Sequence, residues 1–203
     1  MGLSCSLSVG WQKIGRVVTV EDATAERWDD LAVVMGTRGD PSRCWCQWFR
    51  LRNSEFRAAS VAQNRAALRV QAAESPPPGV LAYDEDGAPA GWCAVAPRAA
   101  YPRLATSTLV TTPDEDGLWA VTCFVVRTAV RRRGLAEPLL DGAIELARRH
   151  GARAIEAYPV DVAVKKPSSS ELYHGPLSVF LRAGFTEVGN RPKPARTTVR
   201  LTL

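Results

Sequence analysis

Three arginines stand together at Arg131-Arg132-Arg133, followed at once by Gly134, Leu135 and Ala136 and then by an apolar-periodic run. A helix N-terminus is already the positive end of the helix dipole, so a cationic cluster there is unfavourable unless an anion joins it. Backbone N–H groups in a turn that enters a helix form an anion-binding concavity. Gly134 has no Cβ and lets a ligand approach the backbone, while Ala136 keeps the next turn thin. The chemistry these residues point to is binding of a phosphate or pyrophosphate. The plain alternative is a solvated arginine loop. A Rossmann-type dinucleotide turn needs three glycines and an acidic residue about twenty positions on, and this turn has a single glycine.

Such a turn needs a strand before it and a helix behind it. Leu118–Val126 is apolar nearly throughout, as in a strand covered on both faces. Leu139, Leu140, Ala143, Leu146 and Ala147 mark one face of a helix that runs to about His150, with Gly151 at its C-terminal end. Upstream, Arg16–Val20 alternates like a strand, and a helix runs from about Thr24 to Met35. A helical zone spans about Ser42 to Ala73, and Val80–Tyr83 and Ala90–Val95 form a hairpin. Downstream come a short strand at Ala154–Tyr158, a helix at Leu177–Ala183, and final strands at Phe185–Val188 and Thr197–Leu203. Interleaved strands and helices imply a three-layer α/β or α+β domain. Residues 1–16 read as a flexible leader and 17–203 as one domain.

The run Phe124-Val125-Val126 followed by Arg131, Gly134 and Ala136 resembles motif A of the GCN5-related N-acetyltransferase (GNAT) superfamily. That motif is an arginine or glutamine, two residues, glycine, one residue, then glycine or alanine, between a strand and a long helix. Val179–Phe185, ending in a Gly-Phe pair, is similar to the superfamily's motif B. The resemblance implies a mixed central sheet flanked by helices on both faces, and an acetyl-CoA-dependent N-acetyltransferase. Its acceptor would be a primary amine of a small molecule or a peptide N-terminus. Residues 124–126 and 131–136 (Phe124, Val125, Val126, Arg131, Arg132, Arg133, Gly134, Leu135 and Ala136) would bind the co-substrate. An N–H of Val125 or Val126 would polarise the thioester carbonyl.

The chain departs from the superfamily where a tyrosine often serves as acid, because Phe180 stands at that position. Tyr173 and His174, just before the helix, are the nearest titratable substitutes. Glu156 or Asp161 could act as base directly or through water, but both read rather as surface carboxylates. Trp45 and Trp48, in the segment Cys44-Trp45-Cys46-Gln47-Trp48-Phe49, either line the acceptor pocket or belong to the core. The missing tyrosine keeps open a second reading, a non-catalytic acyl-CoA-binding or regulatory domain on the same fold.

The formal charge is +5, with five cysteines and two histidines in 203 residues. An odd cysteine count argues against a disulfide framework, and the His and Cys spacings do not suit a metal site. The dispersed basic excess lacks the basic–aromatic interleaving of nucleic-acid readers, and no apolar run reaches the length of a membrane span. Heavy use of Arg, Ala and Val is a compositional hint of a bacterial gene. The expectation is a cytoplasmic protein, monomer or homodimer, without metal, nucleic acid or membrane.

Overall fold

The computed structural model describes residues 9–13, 16–110, 112–164, 167–168 and 171–203. The first half contains β1 (Val9–Lys13), β2 (Arg16–Asp22), α1 (Trp28–Met35), α2 (Asp40–Cys44), α3 (Asn53–Ala58), α4 (Val61–Ala72), β3 (Gly79–Tyr83) and β4 (Pro89–Pro97). The second half contains β5 (Leu118–Val126), α5 (Ala136–Arg149), β6 (Ala154–Ala157), α6 (Leu177–Arg182), β7 (Thr186–Lys193) and β8 (Arg196–Thr202). The strands form one eight-stranded sheet in the order β1-β2-β3-β4-β5-β6-β8-β7. Every described neighbour pair is antiparallel except β5 with β6.

Helices cover both faces, as the mixed-sheet α/β expectation requires. On one face Leu139, Leu140, Ala143, Ile144, Leu146 and Ala147 of α5 and Val179 and Phe180 of α6 pack on Val80, Cys93, Val121, Phe124 and Ile155. Gly142 brings α5 close to the sheet: a Cβ built there would stand 2.4 Å from Val20 Cγ1. On the other face Trp28, Leu31 and Met35 of α1 and Leu68 of α4 pack on Leu81, Trp92, Ala94 and Val125. The two side-chain sets alternate along β4 and β5, so both strands are buried on both faces.

Two elements differ from the sequence reading. Within the expected leader, Val9–Lys13 is strand β1, paired with β2; residues 1–8 lie outside the described residues. The expected helical zone from Ser42 to Ala73 is three helices with an irregular stretch between α2 and α3. The break has a local cause. Trp45 and Cys46 take left-handed backbone angles, φ 46° and 54°, and buried Gln47 turns its amide back to donate to the Trp45 carbonyl at 3.0 Å. A side chain that claims a carbonyl in this way competes with the helix ladder. Trp45 and Trp48 therefore do not share a helical face.

Candidate active site

The sheet opens at its centre. β6 pairs with β5 only from Leu118↔Ala154 to Val121↔Ala157. Beyond it, Pro159 has no N–H to offer a ladder, and Val160 turns to pair with Pro176 and Arg196 instead. Thr122 to Val126 of β5 thus have no strand partner on that side among the described residues. A bulge marks the start of the split: Ala94 pairs with Cys123 and Val95 with Val121, leaving buried Thr122 as the extra residue. Bulges re-aim the groups that follow them.

The direction of the free backbone groups follows from the register. Arg127 N–H donates to the Ala90 carbonyl at 3.0 Å, and the pairs Gly91↔Val126, Trp92↔Val125 and Cys93↔Phe124 run on from there. Alternation in an antiparallel ladder turns the N–H and C=O of Val125 toward β4 and those of Phe124 and Val126 into the split. The Val126 carbonyl, accepting from Arg131 Nε at 3.1 Å, agrees with that parity. Of the three β5 residues expected to meet a ligand through the backbone, Phe124 turns both groups into the split and Val126 its N–H, the Val126 carbonyl being taken by Arg131.

The strand leads directly into the arginine turn. Arg132 and Gly134 both have positive φ, 63° and 80°, so left-handed residues alternate with ordinary ones. This is the backbone pattern that gathers N–H groups into an anion-binding nest. The N–H groups of residues 132–136 have no backbone acceptor among the described residues, and α5 begins without a side-chain cap. A Cβ built on Gly134 would meet nothing within 4 Å, so the space in front of the turn is open. Arg131, Arg132 and Arg133 are exposed, whereas Leu135 is buried with Ala90 and Val130 and pins the turn to the sheet. Glu137, in the first turn of α5, accepts from Arg182 Nε at 2.7 Å.

Tyr173 and His174 lie in the 3-10 turn Leu172–His174, which packs against β5. Gly175 follows at φ 76°, its Cβ position 3.1 Å from the Phe124 ring, so the turn sits at the mouth of the split. The Tyr173 ring is half-buried beside Phe49, with centroids 6.3 Å apart. Burial, reinforced by Cys123, pushes its hydroxyl up to about 12. His174 is buried, and desolvation with the nearby Arg196 holds its imidazole down at about 3. An imidazole held in its neutral form is a far weaker acid than a phenol, so Tyr173 is the better acid of the two. Phe180 is fully buried between Phe124 and Phe185.

The two tryptophans separate. Trp45 is 5% exposed and stacks on Trp28 with centroids 5.8 Å apart, inside the core. Trp48 is 38% exposed, edge-on to Phe56 at 5.0 Å, with the Arg103 guanidinium 3.9 Å from its ring centroid. Neither carboxylate considered as a base is free. Glu156 is fully buried and accepts from Arg98 at 2.9 Å, Thr112 at 2.7 Å and Arg200 at 2.7 Å; it is a core ion-pair hub rather than the surface carboxylate expected. Asp161 accepts from Arg191 at 2.9 Å, and that contact lowers its pKa. A separate recess of about 400 Å³, lined by Asp114, Glu115, Asp116, Trp119 and His150, opens at the Leu118 end of β5, away from the split. Its acidic lining does not suit an anion.

The sequence reading missed Arg103 and Arg196, both of which act on the Tyr173 hydroxyl electrostatically. No local motif marks them. Arg103 sits in the polar loop before β5 and Arg196 at the start of β8, 93 positions apart in the numbering.

Residues 45–174 match the family model described as the Acetyltransferase (GNAT) family. Among solved structures, the chain is similar to the GNAT domain of S. lividans PAT at 16% identity, covering 100% of this chain and 99% of that one with a TM-score of 0.55. It is also similar to a GCN5-related N-acetyltransferase from Kribbella flavida at 18% identity, covering 92% and 98%, with a TM-score of 0.52. The putative acetyltransferase yncA from Salmonella typhimurium, solved with its cofactor acetyl-CoA, matches at 16% identity over 92% and 94%, with a TM-score of 0.51. At these identities the likeness is one of fold. Among curated proteins, none matches the chain.

Proposed function

The chain belongs to the GNAT family of acetyltransferases, and we propose that within it this protein transfers acetyl from acetyl-CoA to a primary amine of a small molecule or peptide N-terminus. The observation that carries this reading is the continuity of the open β5 edge with the uncapped, glycine-bearing turn at the start of α5. An extended polar chain ending in a pyrophosphate fits that path. The edge offers N–H and C=O groups along its length, and the turn offers N–H donors and cations at its end. The yncA structure, solved with acetyl-CoA, has the same fold and supports the same choice of ligand.

Acetyl-CoA, when bound, supplies the acyl group as an activated thioester. One of the Phe124 and Val126 N–H groups, fixed by the β4–β5 register, stabilises negative charge on the carbonyl oxygen as the amine nitrogen attacks. The backbone of residues 132–136, assisted by Arg131, Arg132 and Arg133, holds the pyrophosphate and so sets the position of the thioester. The Tyr173 hydroxyl donates its proton to the departing thiolate. The hydroxyl is protonated throughout the neutral range, as an unperturbed tyrosine also is, and its upward shift makes it a weaker donor than a free phenol. The attacking nitrogen sheds its own proton to water, and water returns a proton to the Tyr173 phenolate, so the transfer balances. Trp48 borders the acceptor, while Trp45 supports the wall behind it. A cytoplasmic location and a monomer or homodimer go with this reading.

Thiol release from acetyl-CoA tests the proposal. A panel of primary amines, each with and without protein, is expected to give amine-dependent release and an acetylated amine by mass spectrometry. CoA binding with no release for any amine would instead favour an acyl-CoA-binding domain without catalysis, the reading that Phe180 motivates.

A further inference from the structure

Two cations beside Tyr173 have hydrogen-bonding capacity that the protein does not use. Arg103 is held rigidly: its Nε donates to the Leu51 carbonyl at 3.2 Å, and its guanidinium lies 3.9 Å from the Trp48 ring centroid. Its Nη2 is covered from solvent and has no acceptor among the described residues. Arg196 is paired with Glu171 at 3.6 Å through Nη2, while its Nη1 is likewise covered and without an acceptor. The Nδ1 of His174, whose ring centroid lies 4.1 Å from that of Tyr173, is another polar atom in that condition. Native structures keep few such atoms, because an unsatisfied buried donor is costly, and most so when charged. The backbone N–H of Arg103 donates to the carbonyl of Phe49, which packs on Tyr173, and Arg196 pairs with Glu171 two residues before it, so two leftover guanidinium donors lie near one tyrosine and ask for an anion that arrives with the ligand.

Resting on the acetyltransferase reading, we propose that the acceptor amine carries a carboxylate, and that Arg103 and Arg196 hold it beside Tyr173. A guanidinium fork matches the planar geometry of a carboxylate and binds it more strongly than a neutral partner. The carboxylate accepts the leftover N–H groups, and its amine is thereby placed on the Tyr173 side of the split. The Trp48 ring, its centroid 3.9 Å from the Arg103 guanidinium, restrains the fork. Two sources share this chemistry: the α-carboxylate of a free amino acid, and the side-chain carboxylate of an acidic residue at a peptide N-terminus.

The test is a thiol-release assay on the full chain with matched acceptors. One arm pairs free amino acids with their decarboxylated amines and their α-amides, such as phenylalanine, phenethylamine and phenylalaninamide. The other pairs peptides beginning with Glu or Asp against peptides beginning with Gln or Asn. The carboxylate-bearing member of a pair is expected to have a kcat/KM at least about 10-fold higher, as for a charged hydrogen bond. Arg103→Ala and Arg196→Ala are each expected to bring that ratio toward one, through acceptor KM. Arg103→Lys, which keeps the charge and loses the fork, should lie between. Preference in the first arm assigns the free amino acid, and preference in the second assigns the acidic peptide. Equal kcat/KM for carboxylates and their uncharged partners overturns the proposal and leaves the acetyltransferase reading standing. So does a CoA-loaded protein that neither acetylates any carboxylate of the panel nor melts higher in its presence. Failure to bind CoA at all removes the acetyltransferase reading, and the proposal with it.

Discussion

Replacing Gly134 by glutamate puts a side chain and a negative charge where the turn gathers its donors. The fold itself should tolerate the change sterically, because a Cβ at this position meets nothing within 4 Å. The cost to the free protein is conformational: φ is 80°, a left-handed angle that a non-glycine residue adopts at about 1–2 kcal/mol. Asparagine tolerates that angle better, so Gly134→Asn is the control for backbone strain and Gly134→Ala the control for side-chain bulk. The ligand should suffer far more than the fold. The N–H groups of residues 132–136 have no acceptor among the described residues, and a pyrophosphate would take at least two of them. Each charge-assisted hydrogen bond is worth about 1.5–3 kcal/mol. Losing two gives about 3–6 kcal/mol, or roughly 10²–10⁴-fold in Kd. Calorimetric titration with CoA, beside a thermal melt of each variant, measures both effects. Gly134→Asn should bind within about 10-fold of the parent, and Arg132→Ala should lose little, since much of the contact is backbone. A folded Gly134→Glu protein that binds CoA within about threefold of the parent would refute the placement of the pyrophosphate at this turn.

Tyr173→Phe is expected to lower kcat by at least about 10²-fold with KM for acetyl-CoA little changed, as for loss of a general acid; a drop below about fivefold would make Tyr173 structural. Trp45→Ala should cost about 3–5 kcal/mol of stability as a core truncation. Trp48→Ala should cost only about 1–2 kcal/mol through its edge and cation contacts and should raise acceptor KM. Urea unfolding and steady-state kinetics separate the two. His174 titrates near 3 in the folded protein against about 6.5 when exposed, so its contribution to stability is complete above pH 6.5 and is lost as pH falls toward 3. Between pH 7.5 and 4.5 that loss is on the order of 2–3 kcal/mol, and His174→Leu should flatten the stability profile over this window. Gly142→Ala should destabilise by about 1–3 kcal/mol despite alanine's helix propensity, because the new Cβ meets the stiff Val20 side chain; a higher melting temperature would contradict the packing described for α5.

Along β5 and α5 the local sequence was enough. An apolar run buried on both faces, a glycine at a left-handed turn and a 3.6-residue apolar stripe are each written in contiguous residues. The strand, the turn and the helix stand where those residues put them. Elsewhere local patterning misled. The periodicity from Ser42 to Ala73 looked helical throughout, yet Gln47, buried through contacts with Trp45 and with Gln71 of α4, breaks it. That break decides which tryptophan is core and which is at the surface. Glu156 alternates like an outward-facing strand residue, and only Arg98, Thr112 and Arg200, brought from three other segments, make it a buried hub. Likewise the choice of Phe124 and Val126 over Val125 depends on ladder parity, fixed by the pairing of Arg127 with Ala90 on another strand. The surroundings of Tyr173 were the least legible, since Phe49, Arg103 and Arg196 meet there from distant loops. Short-range geometry is set by steric and hydrogen-bonding preferences within a few residues, which a sequence displays directly. Side chains that converge across the sheet depend on register and crossover, which are settled only when the whole core packs.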